Sequence, residues 1–153
     1  MSAPAPITVT PEPCNCLALR AAARHVTQFY DQCLAPSGLR TTQFSILARL
    51  RRGPQTINAL AADLVLDRTT LGRTMLPLER DGLIRIEASP ADRRAKQLVL
   101  TKDGETRLRA AAKLWHAAQA RFDRVFGAKR ASDMRTLMAA VTASDFATSV
   151  PSS

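Results

Sequence analysis

The stretch from Leu83 to Leu100 constrains this chain most. Apolar and charged residues alternate over Leu83–Glu87 and again over Gln97–Leu100. Between them lie Ala88, Ser89, Pro90, Ala91, Asp92, Arg93, Arg94 and Ala95, a charged and turn-rich segment. Period-two alternation on both sides of such a segment predicts two short strands closed as a β-hairpin. Short helices precede it. Thr41 or Thr42 can cap a helix through Phe44, Ile46, Leu47 and Leu50, which Gly53 and Pro54 stop. Thr56 caps the next, with Ile57, Leu60, Ala61 and Leu64 on its buried face. Asp67 caps a third, through Leu71, Met75 and Leu78 to Asp81, with Gly82 just beyond its end. Pro77 removes a backbone donor inside that helix, so a kink or a loosened last turn is expected there.

Longer helices flank this unit. From Cys14 to Leu34, apolar residues including Leu19, Ala22, Val26, Phe29, Tyr30 and Cys33 recur at steps of three and four. That is an amphipathic helix, ended by Pro36, Ser37 and Gly38. Thr101 caps a long helix to about Phe126, where Gly127 breaks it. A last helix runs from about Ser132 to Ala143. Prolines 4, 6, 11 and 13 make residues 1–13 an extended or disordered tail, and fraying is expected from Ser149. The expected fold is mainly α with a small β-hairpin. It is a winged helix-turn-helix over residues 39–100 with long dimerisation helices over 14–36 and 101–146. The apolar faces of the outer helices exceed what one small domain can cover. Leu17, Val26, Phe126, Leu137, Met138, Val141 and Phe146 are the expected homodimer interface.

Charge points to the partner. The chain carries 22 Lys and Arg against 13 Asp and Glu, a formal net charge of +9. Eleven of the basic residues fall between Arg40 and Lys96, against six acids there. A basic middle attracts polyanions, of which nucleic acid is the commonest in a cytosol. Hydrophobic residues at 46 % allow a packed core. No apolar run approaches the ~20 residues that span a bilayer, so no membrane partner is expected. Three cysteines, an odd count, argue against a disulfide-stapled secreted scaffold, and the first residues do not read as a secretory signal. A cytoplasmic location follows.

In a winged helix-turn-helix the second helix of the motif enters the major groove with its first residues toward the base edges. Here those residues are Arg68, Thr69 and Thr70, with Arg73 one turn further on. Arginine offers a fork to guanine, and threonine a hydroxyl and a methyl. Arg93 and Arg94 at the hairpin tip can reach a narrow minor groove or the phosphates. Asp92 is expected to hold the Arg94 guanidinium by an ion pair. Thr41 and Lys96 complete the expected contacts to double-stranded DNA. A two-fold dimer would present two such helices to an inverted repeat, its half-sites about 10 bp apart.

Taken together, these residues resemble the multiple-antibiotic-resistance regulator (MarR) family over about residues 16–145. The resemblance rests on Thr41-Thr42-Gln43-Phe44, on Leu60-Ala61 with Asp67-Arg68-Thr69-Thr70-Leu71, and on Leu78-Glu79-Arg80-Asp81-Gly82-Leu83-Ile84. Above all it rests on Asp92-Arg93-Arg94 followed by Leu100-Thr101 and Gly104. It implies a dimeric winged-helix transcription factor, mostly repressors in the family, that answers to small phenolic ligands or oxidants. Ser89 departs from the pattern, since many relatives carry Asp before the proline.

The signal is read less directly. Cys14 and Cys16 flank Asn15 at the start of the first helix, where the macrodipole favours a thiolate. By resemblance, Cys16 falls at the reactive cysteine of the organic-hydroperoxide-sensing branch, and Tyr30 at a tyrosine that assists it. Arg20 stands where that branch has another tyrosine; its charge can favour a thiolate, but the peroxide pocket is incomplete. Cys14 can act as a resolving thiol, or the pair can bind a soft metal, although two thiols cannot complete a tetrahedral zinc site. Cys33 reads as a small core residue. The alternative signal is a phenolic or aromatic carboxylate ligand. By resemblance it would sit between the first helices and the DNA-binding unit, where His25, Arg49 and Trp115 are candidate lining residues.

The rival function is a thiol-dependent redox enzyme, peroxidase-like, using Cys16. Against it, the chain has no phosphate-cradling glycine loop, no metal-spaced histidines and only His25 and His116 as imidazoles. No catalytic residue, metal or cofactor is expected.

Overall fold

Thr56, Asp67 and Thr101 each sit in extended backbone and accept a hydrogen bond from the N–H three residues on. The distances are 3.2 Å from Ala59, 2.8 Å from Thr70 and 3.0 Å from Gly104. Each cap satisfies an amide that the helix itself leaves unpaired, and so fixes where that helix starts. The computed structural model describes residues 13–147. The tail expected over 1–13, save Pro13, and the end from Ser149 lie outside the described residues. Within them the helices are α1 (Asn15–Leu34), α2 (Thr41–Leu50), α3 (Ile57–Leu64), α4 (Arg68–Arg80), α5 (Lys102–Phe126) and α6 (Ala128–Ala143). The strands are β1 (Gln55–Thr56), β2 (Ile84–Ala88) and β3 (Lys96–Leu100). The architecture is mainly helical with a small antiparallel sheet, a winged helix-turn-helix.

The turn of the motif is tight. Leu66 N–H donates to Ala61 C=O and Val65 N–H to Ala62 C=O, which closes α3 with a left-handed residue. That residue is Val65, at φ 53°. Glycine is the usual occupant, since a β-branched side chain crowds its own backbone there. The end of α4 is closed in the same way. Leu83 N–H reaches Leu78 C=O and Gly82 N–H reaches Glu79 C=O, with Gly82 at φ 71°. Buried Leu78 and Leu83 supply the apolar contact that usually accompanies this closure.

β2 and β3 pair antiparallel from Ile84↔Leu100 to Ala88↔Lys96. At the tip, Ser89 N–H donates to Ala95 C=O at 2.8 Å. The core gathers Leu34, Ile46, Leu47, Leu60, Leu71, Leu78, Ile84 and Leu98, all at 2 % exposure or less. Each contributes about 1.5–3 kcal/mol by leaving water. α5 joins the two ends of the molecule: α1, α2 and α6 all pack on it. Its start has no room for a side chain at Gly104. A Cβ there would lie 2.1 Å from the Leu83 carbonyl oxygen, which also accepts the Thr101 N–H.

Four local expectations are corrected. The sheet has three strands, in the order β1-β3-β2. Gln55-Thr56 is too short to show a period, and it is a strand only because β3 lies beside it. Neither Thr41 nor Thr42 caps α2. The cap residue is Arg40, whose N–H donates to Gln43 Oε1 at 2.9 Å. α6 begins at Ala128 rather than Ser132, because Gly127 at φ 98° both ends α5 and offers its carbonyl to Ala131 N–H. The turn after Pro77 is not loosened: α4 runs on to Arg80, and Asp81 N–H donates to Pro77 C=O.

Candidate nucleic-acid interface

α4 presents its first turn to solvent. Arg68, Thr69, Thr70 and Arg73 are all exposed, while Leu71, Met75 and Leu78 anchor the opposite face. Asp67 holds this turn twice. Its Oδ1 accepts the Thr70 N–H at 2.8 Å and its Oδ2 accepts the Thr70 hydroxyl at 2.6 Å. These bonds to the charged form hold the Asp67 carboxyl below its ordinary range, the hydroxyl bond being the larger cause. Thr70 therefore spends its hydroxyl proton on the helix cap. Among the described residues the Thr69 hydroxyl makes no such bond.

The wing brings Arg93 and Arg94 to an exposed tip. Asp92 does not pair with the Arg94 guanidinium, a correction to the expected role. Its Oδ1 accepts the Arg94 backbone N–H at 2.9 Å and its carbonyl accepts the Ala95 N–H at 3.0 Å. A short carboxylate satisfies its own turn more readily than it reaches a long side chain. Asp92 thus shapes the tip and leaves the guanidinium unpaired. Exposed Lys96 stands at the base of the same turn. Below it Glu87 accepts from Arg85 at 3.0 Å and Gln97 at 3.1 Å. These bonds lower the Glu87 pKa.

Thr41 is placed differently. Its N–H and its hydroxyl both donate to Asp31 Oδ1, each at 2.7 Å. Thr41 is half-buried and ties α2 to α1. No local pattern announces Asp31, because its partner lies on another helix.

The MarR family model matches residues 39–96. The crystal structure of the M. tuberculosis transcriptional regulator MOSR in complex with DNA is 40 % identical. The match covers 85 % of this chain and 97 % of that one, with a TM-score of 0.73. This chain belongs to the MarR family. As a MarR-family protein it is a DNA-binding transcriptional regulator. The transcriptional repressor CouR bound to a 23-mer DNA duplex is 28 % identical over 84 % of this chain and 92 % of that one, at a TM-score of 0.75. CouR from Rhodococcus jostii RHA1 bound to p-coumaroyl-CoA shares the fold at 24 % identity, 84 % and 92 % coverage and a TM-score of 0.72. Curated proteins offer no match.

Elsewhere in this MarR-family chain, all three thiols are unbridged, and Cys14 and Cys16 are exposed. Cys14 is the cap of α1: its Sγ accepts the Leu17 N–H at 3.4 Å. Arg20, also exposed, lies one turn beyond Cys16. Tyr30 is fourteen residues from Cys16 on the same helix, about 21 Å along its axis. The two do not meet within one chain. The Tyr30 hydroxyl donates to Gln119 Oε1 on α5, and burial is the main cause of its raised pKa. Cys33 is only half-buried.

The residues expected around a ligand are dispersed. Arg49 pairs with Asp63 at 2.7 Å, and Trp115 stacks on Phe44 at 5.9 Å, since both have partners inside the winged unit. His25 lines a different cleft, of about 550 Å³, with Phe29, Arg121, Phe122 and Phe126. Among the expected interface residues, Leu17 is 51 %, Leu137 63 % and Phe146 68 % exposed. Met138 and Val141 are also exposed, and Val26 and Phe126 half-buried. Among the described residues no helix is long and apolar enough to cross a membrane, and no cluster of His, Cys, Asp or Glu is set to hold a metal.

Proposed function

We propose that the chain acts as a homodimeric repressor of an inverted-repeat operator, released by oxidation at Cys16. The supporting observation is the pair of exposed thiols at the start of α1, with Cys14 capping that helix. In this reading Arg68, Thr69, Thr70 and Arg73 face the major groove. Arg93, Arg94 and Lys96 serve the minor groove and phosphates, with Asp92 and Thr41 as positioning residues. The DNA-binding unit is residues 39–100. The dimer forms through α1, α5 and α6 (14–36 and 101–146), where Leu17, Val26, Phe126, Leu137, Met138, Val141 and Phe146 leave apolar surface for a second copy to cover.

Oxidation has a defined route. The Cys16 thiolate attacks the hydroperoxide, the O–O bond breaks, and the sulfur becomes a sulfenic acid while an alcohol leaves. The Cys14 thiol then displaces water from that sulfur and a disulfide forms. Cys14 Sγ is thereby drawn away from Leu17 N–H. The first turn of α1 loses its cap, and Leu17 shifts at the dimer contact. Two recognition helices on a rigid palindrome tolerate little change in spacing. Arg20, exposed one turn beyond Cys16, belongs to the same sensor face. Tyr30 can approach Cys16 only from a second copy.

A second reading rests on the cleft lined by His25, Phe29, Arg121, Phe122 and Phe126. Aromatic walls with the Arg121 guanidinium over the Phe29 ring suit a small aromatic carboxylate, and CouR's binding of p-coumaroyl-CoA supports an aromatic acyl signal in this fold. Selecting bound sites from random DNA, with and without an alkyl hydroperoxide, tests the function. Enriched inverted repeats that vanish with oxidant are expected. Peroxide turnover with no sequence enrichment would favour the peroxidase-like alternative.

A further inference from the structure

Between the helix-turn-helix and the wing lies a second cleft, of about 470 Å³, lined by Thr56, Ile57, Asn58, Arg68, Arg94 and Lys96 with Ala95. Three cations face it from two elements, α4 and the wing, and no acid lines it. Among the described residues none of the three makes an ion pair. Convergent like charges repel unless an anion sits among them.

The third wall is the first turn of α3. Thr56 uses its hydroxyl on Ala59 N–H, which leaves the N–H groups of Ile57 and Asn58 at the helix end without an intrahelical partner. The side-chain amide of Asn58 is exposed beside them. The neighbouring α4 differs: the Asp67 carboxylate already compensates its positive end. The cleft is thus lined by three cationic residues and by the first turn of α3, with exposed Asn58 on it. That is the donor set for a tetrahedral oxyanion, with a fork geometry from each guanidinium.

We infer that this cleft seats one phosphodiester of the duplex backbone in each half-site, with Asn58, Arg68 and Lys96 as its ligands. The inference rests on the DNA-binding reading and deepens it. It gives Arg68 a backbone role in place of a base-reading one, so Thr69 and Arg73 carry base recognition on α4. A phosphate held between α3 and the wing also fixes how far α4 sinks into the groove.

Methylphosphonate substitution tests this, because it removes the charge of one phosphate at a time and needs no protein variant. On an operator taken from the site selection, wild-type affinity is expected to fall roughly tenfold at one symmetric phosphate per half-site, the loss of one charge-assisted contact. In Asn58→Asp and Lys96→Met that same substitution is expected to have little further effect, while neutralised phosphates elsewhere still weaken binding. Arg68→Ala is expected to lower affinity for all operator variants alike and to reduce the salt slope by about one. Equal, additive losses at every phosphate in wild type and variants would overturn the inference. So would an Arg68→Ala variant that relaxes preference at a single base pair, or binding of free inorganic phosphate that leaves duplex affinity unchanged. Absence of any sequence-specific binding would instead remove the DNA reading itself, a different result.

Discussion

Asp31 Oδ1 accepts both the backbone N–H and the hydroxyl of Thr41, each at 2.7 Å. Through this one oxygen α1, at whose start the thiols lie, holds the first residue of α2, the helix that precedes the helix-turn-helix. Asp31→Ala leaves two half-buried donors without their acceptor. It is expected to cost about 1–3 kcal/mol in chemical denaturation, and to weaken the response of DNA binding to oxidant more than DNA binding itself. Equal responses in wild type and variant would show that the signal takes another path.

Arg73 and Arg94 are expected to give different signatures in a binding scan over single-base operator variants. Arg73→Ala should lose about 1–3 kcal/mol and relax preference at one position. Arg94→Ala should weaken binding across sequences and lower the salt slope by about one. An Arg94→Ala protein with wild-type affinity and salt dependence would take the wing out of the interface.

Val65 closes the helix-turn-helix in a left-handed conformation while 70 % exposed, so its side chain adds strain and little burial. Val65→Asn is expected to stabilise the fold by about 1 kcal/mol, measured by denaturant midpoint at constant slope. The reverse holds at Gly104, where a methyl would meet the Leu83 carbonyl. Gly104→Ala is expected to cost about 1–3 kcal/mol by overpacking. A neutral Gly104→Ala would mean that α5 can slide from the wing.

The Asp67 carboxyl titrates below its ordinary value in the folded chain. A depressed folded-state pKa gives stability that is present above the ordinary range and is lost as pH falls through the folded value. Acid unfolding curves should therefore be shallower for Asp67→Ser, which keeps a capping hydroxyl without the charge. Parallel curves for the two proteins would show that the cap bond does not depend on ionisation.

What the sequence disclosed depended on range. The caps Thr56, Asp67 and Thr101 act on an amide three residues away, so the local pattern carries them. The apolar steps of Leu71, Met75 and Leu78 likewise placed the buried face of α4. Asp31 with Thr41, and β1 with β3, join residues far apart in the chain, and nothing local marks them. Asp92 shows a third case. Its place in the wing tip is legible, yet its partner is not, because a nearby backbone N–H competes better than a long, solvated guanidinium. In the candidate site, the cations were readable as charges, whereas Asn58 belongs to it only through the fold.

In the proposed mechanism a thiol at the start of α1 governs operator binding. The direct measurement is the operator dissociation constant of wild type and Cys16→Ser, each before and after an alkyl hydroperoxide and again after a thiol reductant. Oxidant is expected to weaken wild-type binding, reductant to restore it, and Cys16→Ser to stay bound throughout. Release of Cys16→Ser to the same extent as wild type, or no release of either, would contradict it.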